Sequence, residues 1–310
     1  MKLKTKFLNH LDPRAVIQTR NTIPEDYHCT CELCQPENFL GEIFNNDYNT
    51  YYSNRIRKGY YTDKPAEHLD VGQFVGYRWA IQNFCPEEGW VLDPTVGTGT
   101  AIVEAINNGR NAIGVELEYP HIAQRNIDAQ DHLQEYHFRQ GDALKIGMYL
   151  KEWGVPENSL DLIINGPPYP TSKNAEKSSD APQRDFGNTF RATGVGPETF
   201  DYLHPENIGL AKDGPEWEGL IREYFSQAIP YLKPGGRLIL LIKDLVRNKV
   251  VKNLHKETAD IILNDNMDLV PEGWFIHRHV PTTMFMNTYP KRCPGVKIPF
   301  YQTGIILRKE

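Results

Sequence analysis

A chain of 310 residues, 40% hydrophobic and 24% charged with a formal net charge of -6, can bury a large core without metal or disulfide staples and is not disordered throughout. The negative balance excludes nonspecific adhesion to nucleic-acid phosphates over the whole surface and leaves only local basic patches for such contacts. No apolar run is long enough to cross a bilayer, MKLKTKFLNHLDPR lacks the apolar stretch of a signal peptide, and five cysteines fit a reducing compartment, so a cytoplasmic protein with no membrane partner is expected.

Residues 1–62 show no sustained periodicity and read as an irregular extension packed on a main domain at 63–310. From Pro65 the pattern becomes regular. A helix is expected over Ala66 to Phe84, then a strand at Trp90 to Asp93, a Gly-rich turn and a helix from Ala101 to Asn108. Next come a strand at Ala112 to Glu116, a helix over His121 to Leu133, and strands at Phe138 to Gly141 and Leu160 to Asn165. Strands alternating with helices imply a parallel sheet covered on both faces. Residues 171–218 break the rhythm, and so long a loop inside a domain is usually functional. Regularity returns with a helix over Leu220 to Leu232, the turn Lys233-Pro234-Gly235-Gly236, a strand at Arg237 to Ile242 and a helix over Asn253 to Asn266. Strands at Trp274 to Val280 and Tyr301 to Leu307 can pair antiparallel at the sheet edge.

The segment VLDPTVGTGTAIVEAINNGRNAIGVELE puts Asp93 at the end of a buried strand, followed by Pro94, Thr95, Gly97, Thr98, Gly99 and Thr100 in a turn that opens a helix. Such a turn lets backbone N–H groups approach a ligand at the carboxyl edge of a parallel sheet, where open α/β folds bind their ligands. Glu116 ends the next strand, where a carboxylate can accept from both hydroxyls of a ribose. Asp142, followed by Ala143, stands after the third strand, placed for an adenine amino group. Acids at three successive strand ends are more specific than a lone Gly-rich turn.

The fourth strand, LDLIIN, ends in Asn165 and runs directly into Gly166-Pro167-Pro168-Tyr169. Two prolines fix φ and remove two N–H donors, so carbonyls are presented outward, and the aromatic ring can stack on a flat base. This suits methylation of an aromatic amine, whose delocalised lone pair must be localised before it attacks.

In that order, DPTVGTGT, GVE, GDA and GPPY resemble the motifs of the DNA amino-methyltransferases that act on N6 of adenine or N4 of cytosine. Upstream, KPAEHLDVGQFVGYRWAI is similar to the helix that packs near the cofactor methionine in that family. Downstream, NIGLAK and YLKPGGRLILLIKDLVRNKVV resemble a subgroup of DNA modification methylases. The resemblance covers roughly residues 64 to 308. It implies a Rossmann-like seven-stranded α/β sheet, six strands parallel and one antiparallel, with an inserted target-recognition region at 171–218. It also implies S-adenosylmethionine as cofactor, double-stranded DNA as partner and a base flipped out of the duplex. Asp93, Pro94, Thr95, Gly97, Thr98, Gly99, Thr100, Glu116, Asp142, Ala143 and Asn165 are then the cofactor residues, and Asn165 with Gly166 to Tyr169 the catalytic loop.

The chain departs from the family at one place: an Asp, Asn or Ser normally precedes Pro-Pro-aromatic, and here that residue is Gly166. Either Asn165 reaches the amine by a one-residue shift, or the Pro167 carbonyl is the sole acceptor, or activity is impaired. Two other readings remain open: an RNA or protein amide methyltransferase, and a noncatalytic subunit that binds cofactor or DNA. Cys29, Cys31 and Cys34 form C-x-C-x2-C beside His28, a spacing suited to zinc but without a paired second knuckle. Basic candidates for phosphate contact are Arg55, Arg57 and Lys58 with Tyr60 and Tyr61 between, and Lys291, Arg292 and Lys297. Lys243, Asp244 and Arg247 of KDLVRN either face DNA or form a structural salt bridge.

Overall fold

The runs WVLD, NAIGVE, LDLIIN and RLILLI are short, apolar on alternate and intervening positions alike, and bounded by turn residues, the signature of strands buried on both faces. The computed structural model describes residues 18–44, 74–170, 204–247, 250–265, 268–278 and 301–310, and there these runs centre a nine-stranded sheet. In chain order the elements are β1 (Gln18–Arg20), β2 (Phe39–Phe44), α1 (Phe74–Phe84), β3 (Trp90–Asp93), α2 (Thr100–Asn107), β4 (Asn111–Glu116), α3 (Pro120–Asp128), β5 (Tyr136–Gln140), α4 (Ile146–Glu152) and β6 (Leu160–Asn165). Then follow α5 (Pro215–Ala228), β7 (Leu232–Lys243), the hairpin β8 (Leu245–Arg247) and β9 (Val250–Lys252), α6 (Leu254–Asp265), β10 (Leu269–Arg278) and β11 (Tyr301–Lys309).

The strand order is β1-β2-β10-β11-β7-β6-β3-β4-β5. Seven of these strands, β10 through β5, make the Rossmann-like sheet expected from the sequence. Within it β11 runs antiparallel to both neighbours and the other pairings are parallel. The order reverses between β3 and β6, the switch point at which open α/β sheets leave a crevice.

Two strands come from the stretch expected to be irregular. β2 adds parallel to β10 and β1 antiparallel to β2, so Gln18–Arg20 and Phe39–Phe44 belong to the sheet rather than lying against it. The helix α4 was not foreseen. α3 is shorter than expected and stops at Asp128, leaving Leu133 97% exposed in the following loop. The Lys233–Gly236 turn lies inside β7 as an irregularity, so that Leu160 pairs with Leu232 but Leu162 with Arg237. The expected loop 171–218 already carries a 3-10 turn at Ile208–Leu210 and the start of α5, while 171–203 lies outside the described residues.

Alternation along the strands splits the core into two layers. Ile163, Leu238, Leu240 and Ile242 pack with residues of α4, α5 and α6, including Trp217, Tyr224 and Leu254. Ile164, Ile239 and Leu241 pack with residues of α1, α2 and α3. α1 is also tied to α2 by a buried ion pair, Arg78 Nε to Glu104 Oε2 at 2.7 Å. Among the described residues no helix is long and apolar enough to cross a membrane.

Candidate functional site

The carboxyl ends of β3, β4 and β6 open into two adjoining cavities. The larger, with about 750 Å³ of space open to solvent, is lined by Thr95, Val96, Gly97, Thr100, Glu116, Glu118, Tyr119 and Asn207. Gly166, Pro167, Pro168, Tyr169, Tyr77, Leu241 and Gln302 line it as well. The smaller, about 350 Å³, is lined by Pro94, Thr95, Glu116, Gly141, Asp142, Ala143, Pro168 and Asn207 among others. Thr95, Glu116, Pro168 and Asn207 border both, so the two adjoin as one crevice.

The Gly-rich turn and the second strand are tied together by one carboxylate. Glu116 Oε2 accepts from the Gly97 amide at 2.9 Å, and its Oε1 accepts from the amides of Glu118 (3.0 Å) and Tyr119 (3.2 Å). A carboxylate offers about four acceptor positions, so one remains for a ligand hydroxyl, and a second requires sharing with an amide. Gly97 has φ 55° and Gly99 φ 86°, left-handed values that favour glycine. A Cβ on Gly99 would stand 3.4 Å from the Ala123 backbone of α3, so Gly99 serves helix packing beneath the crevice. Thr98 is likewise buried and outside the lining, its hydroxyl 3.3 Å from that of Thr100.

Asp142 begins a 3-10 turn, with Oδ1 accepting from the Leu144 amide at 3.0 Å and Oδ2 3.5 Å from Lys145 Nζ. Glu118, which the sequence reading passed over, accepts from the His204 amide and from Asn207 Nδ2 through Oε1 at 3.0 and 2.9 Å. Its Oε2 is buried without a hydrogen-bond partner at the edge of the crevice. A donor-rich ligand would satisfy it; two adjacent carboxylates and an orphaned oxygen suit hydroxyl and amino donors or a positive charge.

Asn165 does not turn toward the crevice. Its Nδ2 donates to Asp93 Oδ1 (2.8 Å) and Thr95 Oγ1 (2.7 Å), while its Oδ1 accepts from the Tyr224 hydroxyl (2.7 Å). The side chain is fully buried, with partners on every side. The expectation that it reaches an amine is therefore corrected: alternation along β6 sends Asn165 to the same face as Ile163, toward α5. What Asn165 holds is Asp93. Burial pushes the Asp93 carboxyl up to about 7, opposed by the hydrogen bonds from Asn165 and the Thr95 amide, with the charge of Glu116 adding to the rise.

The loop after β6 is fixed by its neighbours. The Pro168 carbonyl accepts from Trp217 Nε1 at 2.9 Å, and the Tyr169 hydroxyl accepts from the Lys243 amide at 3.0 Å. No donor meets the Pro167 carbonyl among the described residues. At Gly166, where the sequence resemblance leads one to expect Asp, Asn or Ser, a Cβ would stand 3.0 Å from the Leu241 carbonyl and 3.2 Å from the Tyr77 hydroxyl. Tyr77, delivered by α1, thus fills the space beside this glycine with an oxygen of its own. Gln302 adds a second: its Nε2 donates to the Leu241 carbonyl at 3.2 Å, and its Oε1 is buried without a partner. Sequence reasoning singles out neither: Tyr77 lies within the KPAEHLDVGQFVGYRWAI helix, read only as packing near the cofactor, and Gln302 belongs to no motif.

Of the remaining candidates, Asp244 is buried between His28 and His255 and does not face outward. Cys29, Cys31 and Cys34 lie together on the α6 side of the sheet, away from the crevice. Arg55, Arg57, Lys58, Tyr60, Tyr61, Lys291, Arg292, Lys297 and the Arg247 side chain lie outside the described residues.

No protein-family model and no curated protein matches the chain. Among solved structures, it is similar to an O-methyltransferase from Bacillus cereus in complex with SAH, with 12% identity over 84% of this chain and 91% of that one at a TM-score of 0.43. It is similar also to Pyrococcus horikoshii TYW2 in complex with MeSAdo (12% identity, 80% and 67% covered, TM-score 0.42). A SAM-dependent methyltransferase from Methanosarcina mazei gives 11% identity, 78% and 99% covered and a TM-score of 0.41. Likeness at this level carries no activity, substrate or cofactor over to this chain.

Proposed function

We propose that the chain is an S-adenosylmethionine-dependent methyltransferase whose acceptor is an exocyclic amino group of a base in DNA. The observation that carries the reading is the shared crevice: the Gly97 turn with Glu116 and the Gly166-Pro167-Pro168-Tyr169 loop line one and the same cavity. Cofactor-type and base-type residues around one cavity are what direct transfer between two bound molecules requires.

Glu116 and the orphaned Glu118 Oε2 suit ribose hydroxyls and a cationic amino acid, and Asp142 with Ala143 in the smaller cavity suits an adenine ring. When bound, S-adenosylmethionine supplies an electrophilic methyl carbon on a sulfonium. The protein's own work is on the amine. Tyr169 offers a ring face for stacking, and Pro167, Tyr77 and Gln302, which line the same cavity, bring oxygens that can accept from the amino hydrogens. Accepting those hydrogens draws the nitrogen lone pair out of the ring and toward the methyl carbon. As the N–C bond forms the S–C bond breaks, and the nitrogen then loses one proton to solvent. Asn165 acts beneath, holding Asp93 at the end of β3 and so fixing the entry of the Gly-rich turn.

The deciding experiment follows labelled methyl transfer from S-adenosylmethionine to separate pools of double-stranded DNA, RNA and protein. Label entering DNA amino groups supports the reading in full. Label entering only RNA or protein keeps the enzyme and replaces the substrate. Cofactor binding with no transfer to any pool makes the chain a noncatalytic binding subunit.

A further inference from the structure

The segment from Tyr27 to Cys34 has little periodic apolar sequence, yet it buries Cys29 and Cys34 at 5% and 4% exposure, with Cys31 half-buried. Three thiols in so short a stretch bring little apolar area to a core. What gathers around them is a histidine from a distant element. His255, in the first turn of α6 and fully buried, points Nε2 at Cys34 Sγ (3.4 Å) and Cys31 Sγ (3.9 Å). The three sulfurs and this nitrogen all lie within 4.8 Å of one another.

That size fits one small ion. A tetrahedron with zinc–sulfur bonds of about 2.3 Å and a zinc–nitrogen bond of about 2.0 Å has sulfur–nitrogen edges of about 3.5 Å, between the two distances observed. A polynuclear iron–sulfur cluster spreads its ligands around a cube and does not fit. The surroundings are those of a metal ligand too. His255 Nδ1 is 2.7 Å from Asp244 Oδ1, which also accepts from the His255 amide at 3.1 Å, so the ring is fixed with Nε2 toward the sulfurs. Asp244 Oδ2 lies 2.5 Å from His28 Nε2, and the Cys31 amide donates to Cys29 Sγ at 3.4 Å.

Two other uses of these atoms fail on geometry. A disulfide would join two thiols and leave the third beside His255 unexplained; all three are free. Cys34, His255 and Asp244 also resemble a nucleophile with its base and orienting acid, but they are buried and border neither cavity, so no substrate reaches them.

We propose that Cys29, Cys31, Cys34 and His255 form a structural zinc centre, closed by four protein ligands and oriented by Asp244. It fastens the segment that leads into β2 onto the first turn of α6, two pieces far apart in sequence. The centre depends on no part of the methyltransferase reading.

The test uses the full chain purified without chelator, assayed for zinc and for free thiols. About one equivalent of zinc is expected, falling to below about a tenth in Cys31→Ser and in His255→Ala. Stripping the metal should lower the unfolding temperature, and zinc but not magnesium should restore it. Should either variant fail to fold, cobalt titration of the stripped wild-type chain decides. A tetrahedral cobalt spectrum with thiolate charge-transfer bands, saturating at one equivalent, supports the site. Less than about a tenth of an equivalent of zinc together with no such spectrum overturns it. So does rapid alkylation of Cys34 in the folded, metal-loaded chain.

Discussion

The Tyr77 hydroxyl stands 3.2 Å from the point where a side chain on Gly166 would begin, and the Leu241 carbonyl of the neighbouring strand stands 3.0 Å from it. Glycine here is thus matched to a tyrosine from α1. Restoring the family's hydroxyl by Gly166→Ser should slow methyl transfer, because the Leu241 carbonyl is strand backbone and cannot retreat cheaply. Tyr77→Phe should lose up to roughly tenfold in turnover, the worth of one hydrogen bond, and should relieve the crowding in the double variant. A Gly166→Ser enzyme faster than wild type in steady-state assays would defeat this account.

Asn165→Ala should behave as a stability mutant. It takes one donor from Asp93 and one from the Thr95 hydroxyl and leaves the buried Tyr224 hydroxyl without this acceptor, at about 1–3 kcal/mol for a buried group left unpaired. Thermal unfolding should shift down and cofactor affinity should fall with it. Unchanged melting and unchanged affinity beside a large loss of turnover would instead return this side chain to the amine.

Glu116→Ala should weaken S-adenosylmethionine binding by roughly 1.5 to 3 kcal/mol, measured by calorimetry. The loss has two parts, since the variant also frees the amides of Gly97, Glu118 and Tyr119. Glu118→Gln tests the ligand side separately: it keeps an acceptor at the position of Oε1 and removes the charge beside the crevice, and binding should still weaken. Binding indifferent to both substitutions would reject this cofactor site.

Asp93 gives the site a pH dependence. Its folded carboxyl titrates near 7 and its unfolded one near the ordinary 3.8, so the folded state holds the proton more tightly. The stability it contributes is complete below about pH 4 and is lost as pH rises to about 7. A cationic ligand in the crevice favours the ionised form, so S-adenosylmethionine affinity should increase through pH 7 with proton release. Calorimetry in buffers of different ionisation enthalpy reads that proton, and Asp93→Asn should abolish it.

Tyr169 accepts from the Lys243 amide and, on the proposed reading, stacks on the base, and its variants should separate the two. Tyr169→Phe keeps the ring but leaves the Lys243 amide without its acceptor, so turnover should fall several-fold rather than stay level. Tyr169→Ala should lose in addition the roughly 1–3 kcal/mol of a stacked base, seen as weaker DNA binding. Equal DNA affinity for the Phe and Ala variants would remove the ring from base contact.

Local pattern revealed β3, β4, β6 and the Gly-rich turn, because apolar runs bounded by turn residues leave few alternatives and place Asp93, Glu116 and the Pro-Pro-Tyr loop at strand ends. It did not reveal β2, where FLGEIF carries a glycine and a buried Glu42 in a stretch crowded with Asn and Tyr. Nor did it reveal α4, seven residues long and too short for a period to show. The side chains it missed at the site share one cause. Tyr77, Glu118, Gln302 and His255 reach their places by tertiary packing; His255 meets Cys34 from 221 positions away, a distance no spacing rule spans. Asn165 was read in the right place but with the wrong direction, because its direction is set by the face of β6 that α5 covers.

The pairing of β2 with β10 sets an order on how the molecule can be made. Phe39 lies opposite Trp274, their rings 4.5 Å apart, and Ile43 next to the same strand is wholly buried. On the ribosome the early strand emerges with only the short β1 to pair with, and its other edge must wait for β10, made more than two hundred residues later. Contacts so distant in sequence are slow to close, and an apolar strand kept waiting is exposed to wrong partners in the meantime. The sheet is therefore completed from its last-made strands back to its first, and a chain halted before residue 269 would carry residues 39–44 as an unsheltered edge.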